Sequence, residues 1–255
     1  MKPTREFKDL VQLVGVLRQE CPWDARQTHH SIKDNLIEEA YEAIEAIDEG
    51  NFDEFKKELG DLLLHVLFHS KMASENSHFE IGDVIYQLME KLIRRHPHVF
   101  GEKVVNGEGE VAQNWEEIKL KEGKKSTLDG LPPQLPALIR AQRMQEKAAN
   151  VGFDWPNWKQ AWEKIDEEYE EFREVLEKGD QDEAQKEFGD MLFSLVNVSR
   201  YFDLNAEDAL RQTNRKFEQR FRYIEEQLKA RGKSVKASTL EEMDELWEEA
   251  KKISN

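Results

Sequence analysis

Two stretches of the sequence set acids inside an otherwise apolar run, "KELGDLLLHV" at 57–66 and "KEFGDMLFSL" at 186–195. Glu58 and Asp61 in the first, and Glu187 and Asp190 in the second, stand three residues apart, so each pair shares one helix face. A further pair precedes each stretch, Glu39 with Glu42 and Glu168 with Glu171. Gly50 and Gly179 mark a break between the two acidic helices of each set. Glu42 and Glu58 each lie 8 residues from Gly50, and Glu39 and Asp61 each lie 11; Glu171, Glu187, Glu168 and Asp190 repeat these distances around Gly179. In an antiparallel helical hairpin the acids face one another at matching heights. At a rise of about 1.5 Å per residue, each pair spans roughly 4.5 Å along its helix.

Carboxylates so placed repel one another and resist burial unless a positive charge lies among them. An all-oxygen donor set suits a hard divalent cation, Mg²⁺ or Mn²⁺, and Mg²⁺ is commonly shared between a few carboxylates and substrate phosphates. A solvated, salt-bridged face is the alternative for any single Glu-x-x-Glu. The matched spacing and its recurrence favour the metal reading. His65 shares the face of Glu58 and Asp61 but becomes Ser194 in the second set, which speaks against a His-rich site. Glu38 and Glu167 also recur, and three roles are open to them: activating water, supporting the ligands, or plain structure.

The elements that position these acids are helices. Gly and Pro are sparse, apolar residues recur three and four apart, as in Phe7, Leu10, Val11, Val14 and Leu17, and strand-like alternation is missing. The chain is also a tandem repeat. An offset of 129 superposes residues 38–63 on 167–192 with twelve identities in 26 positions. An offset of 125 carries Lys91 and Arg95 onto Lys216 and Arg220, and one of 132 carries "WEEIK" at 115–119 onto "WEEAK" at 247–251. A stretch rich in charge, Gly and Pro at 122–136 separates the copies. The expected architecture is therefore all-α, with helical domains over 1–121 and 137–255 joined by that linker.

Each Lys–Arg pair presents two cations on one helix face, suited to a triphosphate clamp or to surface ion pairs. Trp115 with Lys119, and Trp247 with Lys251, lie one turn apart near the end of each copy. Such a Trp either stacks on a nucleobase, with the Lys reaching a phosphate, or anchors its helix in a core. Trp23, Phe153 and Trp155 lie on the loops entering the acidic helices, where they line a base pocket or staple the loop.

Bulk composition narrows the class. The 53 acids against 37 Lys and Arg give a formal charge of −16, which argues against a surface built to grip a nucleic-acid polymer. Cys21 is the only cysteine, no apolar run approaches the length of a membrane span, and "MKPTREFKDL" lacks a secretory h-region, so a cytoplasmic setting is expected.

"CPWDARQTHHSI", "LIEEAYEAIEAI", "KELGDLLLHVLFHS", "RRHPHVFGE", "LPALIRAQRMQEKAANVGFDW" and "KEFGDMLFSLVNVSR" together resemble the two-domain MazG nucleoside triphosphate pyrophosphohydrolases over nearly the whole chain. That resemblance implies tandem all-α domains and Mg²⁺-dependent cleavage of ribo- and deoxyribonucleoside triphosphates to monophosphate and pyrophosphate. It also implies broad base tolerance, a house-cleaning role and a homodimer built through helices. The family's metal motif falls on Glu39, Glu42, Glu58 and Asp61, and on Glu168, Glu171, Glu187 and Asp190. Its nucleotide contacts fall on Lys164, Lys216, Arg220 and Trp247, and by the repeat on Lys91, Arg95 and Trp115, while Lys164 aligns with Asn35. A water-activating carboxylate would be Glu38 or Glu167. The rival class is a non-catalytic helical regulator that binds a nucleotide or a protein partner.

Overall fold

A computed structural model describes residues 2–105, 107, 110–111, 118 and 126–253. Among these residues there are helices and no strands, and the chain divides into two compact units, Met1–Asn106 and Gly107–Asn255. The all-α expectation holds for both.

In the first unit, α1 (Phe7–Glu20) and the acidic helices α2 (Lys33–Asp48) and α3 (Phe52–Glu75) are followed by α4 (Ile81–Arg95) and the single turn α5 (Pro97–Phe100). Helices α2 and α3 form the predicted hairpin. Gly50 adopts a left-handed φ of +65°, and the Asn51 side chain accepts the Glu54 N–H at 3.2 Å, so the chain stops one helix and starts the next within three residues. The hairpin's far end is clamped by a core of Val14, Ile32, Leu67, Phe68 and Met72. Arg18 fixes α1 to α3 there. Its Nη2 and Nε donate to Glu75 at 2.6 and 3.2 Å, its Nη1 bonds the Gln27 carbonyl at 3.1 Å, and its hydrogen bond holds the Glu75 carboxyl below the usual range.

The second unit repeats the hairpin as α7 (Trp158–Lys178) and α8 (Gln181–Arg200), preceded by α6 (Ala137–Ala149) and followed by α9 (Ala206–Ala230) and α10 (Leu240–Ile253). Gly179 turns the chain at φ +74°, and Asp180 caps α8 by accepting the Glu183 N–H at 3.2 Å. Ala161, Ile165 and Val198 pack between α7 and α8, while Ile224, Leu228 and Leu246 join α9 to α10. Residues 126–136 of the expected linker are tied to this unit through the buried Lys147 of α6, which donates to the Thr127 and Asp129 carbonyls at 2.9 and 3.3 Å.

A methyl group at Gly179 would meet nothing within 4 Å, so its requirement for glycine is purely conformational. Gly179→Ala is expected to cost about 1–2 kcal/mol by chemical denaturation, and Gly179→Asn clearly less, since Asn tolerates the left-handed region.

Candidate functional site

In the first unit, α2 carries Glu39 toward Glu58 and Asp61 of α3, and one carboxylate oxygen from each lies within 4.8 Å of the others. Glu58 is buried, Glu39 half-buried and Asp61 exposed. Burial, reinforced by Asp61 and Glu42, pushes the Glu39 carboxyl above its ordinary range; burial, reinforced by Glu42 and Glu39, does the same to Glu58. Glu42 stands outside the three-residue set but is felt by both. Further along α3, His65 and His69 occupy the positions that Ser194 and Val198 hold in α8. His69 stacks on His29, with ring centroids 5.1 Å apart and their Nδ1 atoms at 2.8 Å.

The second unit assembles a different three: Glu168 and Glu171 of α7 with Glu187 of α8, again with one oxygen from each within 4.8 Å of the others. Burial and the carboxylates of Glu171, Glu168 and Asp190 push Glu187 upward. The sequence treats the eight acids as equivalent. The hairpins instead bury Glu58 and Glu168 and leave Asp61, Glu171 and Asp190 exposed. Lys164, one turn before Glu168, bonds it at 2.7 Å and Glu167 at 3.0 Å, and those two carboxylates hold the ammonium far above the ordinary Lys range. Asn35 provides no such cation in the first unit. Both sets are all-carboxylate and crowded, a donor set that could hold a hard divalent cation.

In the second unit there is space beside the acids. A cavity of about 560 Å³ has Lys164, Glu168 and Asp190 in its wall, together with Phe153, Trp155 and Phe193. Gln145 of α6 and Asn197 and Arg200 of α8 add polar groups. The loop bearing Phe153 and Trp155 is fastened to the end of α8: Arg200 Nη2 and the Tyr201 hydroxyl donate to Asp154 Oδ1 at 2.7 and 2.9 Å, and Tyr201 also donates to the Trp155 carbonyl at 2.8 Å. Burial alone would raise the Asp154 carboxyl, but these hydrogen bonds outweigh it and hold it low. Phe153 and Trp155 thus line a cavity, whereas Trp23 in the first unit is exposed. A volume of this size, largely apolar with a few convergent polar groups, is typical of small-molecule sites. In the first unit a cavity of about 260 Å³ lies between α1, α3 and α4 and includes none of the four hairpin acids.

The remaining candidate residues are dispersed. Glu38 is exposed on α2, and Glu167 is exposed but engaged by Lys164. Lys91 is exposed and Arg95 half-buried at the end of α4. On α9, Lys216 is exposed, while the Arg220 guanidinium lies 5.5 Å above the Trp247 ring, which also meets Phe217 at 5.3 Å. Trp247 packs on the Ile224, Leu228 and Leu246 core, the anchoring use of such a tryptophan, and Lys251 pairs with Glu248. Lys216, Arg220, Trp247 and Lys251 do not line the 560 Å³ cavity. Trp115 and Lys119 lie outside the described residues.

Gln145, Asn197 and Arg200 escape a reading based on the repeat, because it compares only what both copies share. A trace of Gln145 is nevertheless present, as a polar residue on the apolar face formed by Ala141, Met144 and Ala148 in α6.

Comparison with known proteins agrees with this double arrangement. The model of the MazG nucleotide pyrophosphohydrolase domain matches twice, over residues 27–100 and 159–224, so that each match contains one acidic hairpin. A nucleoside triphosphate pyrophosphohydrolase/pyrophosphatase MazG of Thermotoga maritima is 48% identical over 250 residues, covering 96% of this chain and 95% of its own length. A nucleoside triphosphate pyrophosphohydrolase of Escherichia coli is 42% identical over 240 residues, covering 91% and 90%. An uncharacterized protein of Bacillus subtilis, 47% identical over 252 residues, contains the match within 52% of its length. With two domain matches and full-length relatives at this identity, the chain belongs to the MazG family.

Proposed function

We propose that the chain hydrolyses nucleoside triphosphates to the monophosphate and pyrophosphate, and that the second unit carries the turnover. The observation that supports this most directly is that Glu168, one of the Glu168–Glu171–Glu187 cluster, and Asp190 stand in the wall of a 560 Å³ cavity lined also by aromatic residues. One site then offers a charged end for phosphates and an apolar end for a nucleoside. Glu168, Glu171, Glu187 and Asp190 would hold Mg²⁺, or Mn²⁺ in its place, and Glu39, Glu42, Glu58 and Asp61 would do so in the first unit. Bound there, the cation supplies charge neutralisation at the triphosphate and acidification of water.

The chain's own groups account for the rest. Lys164 is tethered to Glu167 and Glu168 and lies in the cavity wall, where it can exchange a carboxylate for a phosphate oxygen. Release of Glu167 by that exchange frees a solvent-exposed carboxylate to orient the water that cleaves the α–β anhydride. The apolar wall excludes solvent from the nucleoside and makes few demands on the identity of the base. That suits a broad substrate range and a house-cleaning role in nucleotide pools. Glu38 would act similarly in the first unit, without the Lys164 counterpart.

A homodimer completes the reading. Leu59, Leu63 and Val66 of α3 and their repeat counterparts Phe188, Leu192 and Leu195 of α8 form exposed apolar stripes at helical spacing in the isolated chain. In the sequence they belong to the apolar runs that surround the acids. All six keep exposed area, although Phe188 also meets Phe172 of α7 at 5.5 Å and Leu192 lines a cavity with α6, and burial against a second copy would account for that exposed area. No helix of the described residues is long and apolar enough to cross a membrane.

Pyrophosphate release from ATP and Mg²⁺ should fall by about 10²–10³-fold in Glu168→Ala, the scale of losing a key electrostatic group, and less than about threefold in Glu39→Ala. Unchanged release by the combined Glu168→Ala and Asp190→Ala variant, with the first-unit acids also replaced, would overturn the assignment. Binding of ATP with no turnover in the wild type would favour a regulator.

The raised carboxyls also set a pH dependence. A carboxyl raised in the fold binds protons that the unfolded chain has already released, so metal-free stability falls as pH climbs from the ordinary carboxylate range, about 4.3, through the raised values. Mg²⁺ should therefore raise Tm more at pH 8 than at pH 5. Glu187→Gln should raise the metal-free Tm at pH 8 by about 2–4 °C while reducing the gain from Mg²⁺. Light scattering should show Phe188→Glu with Leu192→Glu at half the mass of the wild type.

A further inference from the structure

One polar group in the cavity wall is left over from everything described above. Gln145 of α6 is 7% exposed, and its Nε2 donates to the main-chain carbonyl of Phe193 on α8 at 2.8 Å. That bond fixes the amide's orientation, because the reversed amide would set its oxygen against the Phe193 oxygen. The Gln145 Oε1 atom, diverging from the same carbon, is buried and has no hydrogen-bond partner among the described residues. A buried amide oxygen without a partner is costly, and such atoms in native structures call for an explanation.

The surroundings supply one. Gln145 lines the cavity with Phe153, Trp155 and Phe193, whose rings suit a flat, apolar-faced group. The neighbouring polar groups are already engaged. Asn197 Oδ1 accepts from Arg200 at 2.7 Å, and Asp154 accepts from Arg200 and Tyr201. The Gln145 oxygen is thus an unpartnered acceptor, held in place by the donor bond of the same amide, on a residue that lines the cavity. Each common nucleobase carries at least one N–H on the edge opposite its sugar, so a single acceptor serves all of them.

We propose that Gln145 is the base-reading residue of this chain: its Oε1 accepts a hydrogen bond from an N–H on the edge of the nucleobase, which for adenine is the 6-amino group. This rests on the nucleotide reading of the cavity. It adds a direction to base tolerance, namely that bases with an N–H at that edge are accepted and an analogue lacking it is discriminated against.

The test compares ATP with purine riboside triphosphate, which lacks the 6-amino group, by kcat/KM and by calorimetric binding of their α,β-methylene analogues. The wild type should prefer ATP by about three- to tenfold, the range of one neutral hydrogen bond. Gln145→Met should bring the ratio near one while leaving kcat on the purine analogue within about twofold, which shows an intact site. If that variant fails to fold, the smaller Gln145→Ala takes its place. A wild type without preference overturns the proposal whatever either variant does, and so does a preference that survives the substitutions. Discrimination in binding without turnover of either nucleotide would uphold Gln145 and sink the hydrolysis reading. Turnover without discrimination would do the reverse.

Discussion

The structure turns on the repulsion among carboxylates gathered within a helical hairpin. Three carboxylate oxygens within 4.8 Å in each unit, with Glu58 and Glu168 buried, would drive the two helices apart if nothing else held them. Each hairpin answers with restraints on either side of its acids. At the turn, a left-handed glycine and an N-cap side chain, Gly50 with Asn51 and Gly179 with Asp180, fix the register. Beyond the acids, apolar packing around Leu67, Phe68 and Met72, or around Ala161, Ile165 and Val198, clamps the helices. The acids occupy the interval between two rigid points, so that repulsion is stored there rather than relieved by splaying.

The two copies relieve that repulsion differently. In the second unit Lys164 supplies one positive charge and pairs with Glu168, and the space along α8 is open to a ligand. In the first unit Asn35 offers no charge, and burial with the neighbouring acids pushes the Glu39 and Glu58 carboxyls up, as it does Glu187 in the second. The positions aligned with Ser194 and Val198 hold His65 and His69, whose rings stack with a centroid separation of 6.2 Å. A duplicated scaffold thus keeps one electrostatic problem and gives it two local environments, and among the described residues the second joins it to an aromatic cavity. This is the physical ground for the proposal that turnover lies there.

The hairpin and its acid register were legible because they obey spacing alone. Counting 8 and 11 residues from a glycine is enough when both helices are regular, and the repeat supplies a second instance. The unequal burial of the acids was not legible, since it depends on which neighbouring helices cover which side of the pair. Leu59, Leu63 and Val66 read as core for the same reason: a helix with two apolar faces looks alike whether both are covered within the chain or one is left outside. The cavity wall was the least visible part. It draws on α6, the loop at Phe153 and α8, segments brought together by tertiary packing and not by any shared period. Trp247 shows the limit from the other side, since its spacing from Lys251 is as compatible with the core contact it makes as with a base.

The outer stripes and the acids are one design problem, because they share the same helices. On α8, Glu187 and Asp190 lie toward the partner helix, while Phe188, Leu192 and Leu195 keep exposed area more than about a third of a turn around the axis, Phe188 at the edge that also meets Phe172 of α7. In the dimer proposed above, covering that stripe would remove water from the flank of the hairpin and lower the local dielectric around the carboxylates. Their mutual repulsion would then rise, and with it the advantage of a bound cation. Association and metal binding would therefore support each other: each would be worth more in the presence of the other, without any contact between the cation and the interface.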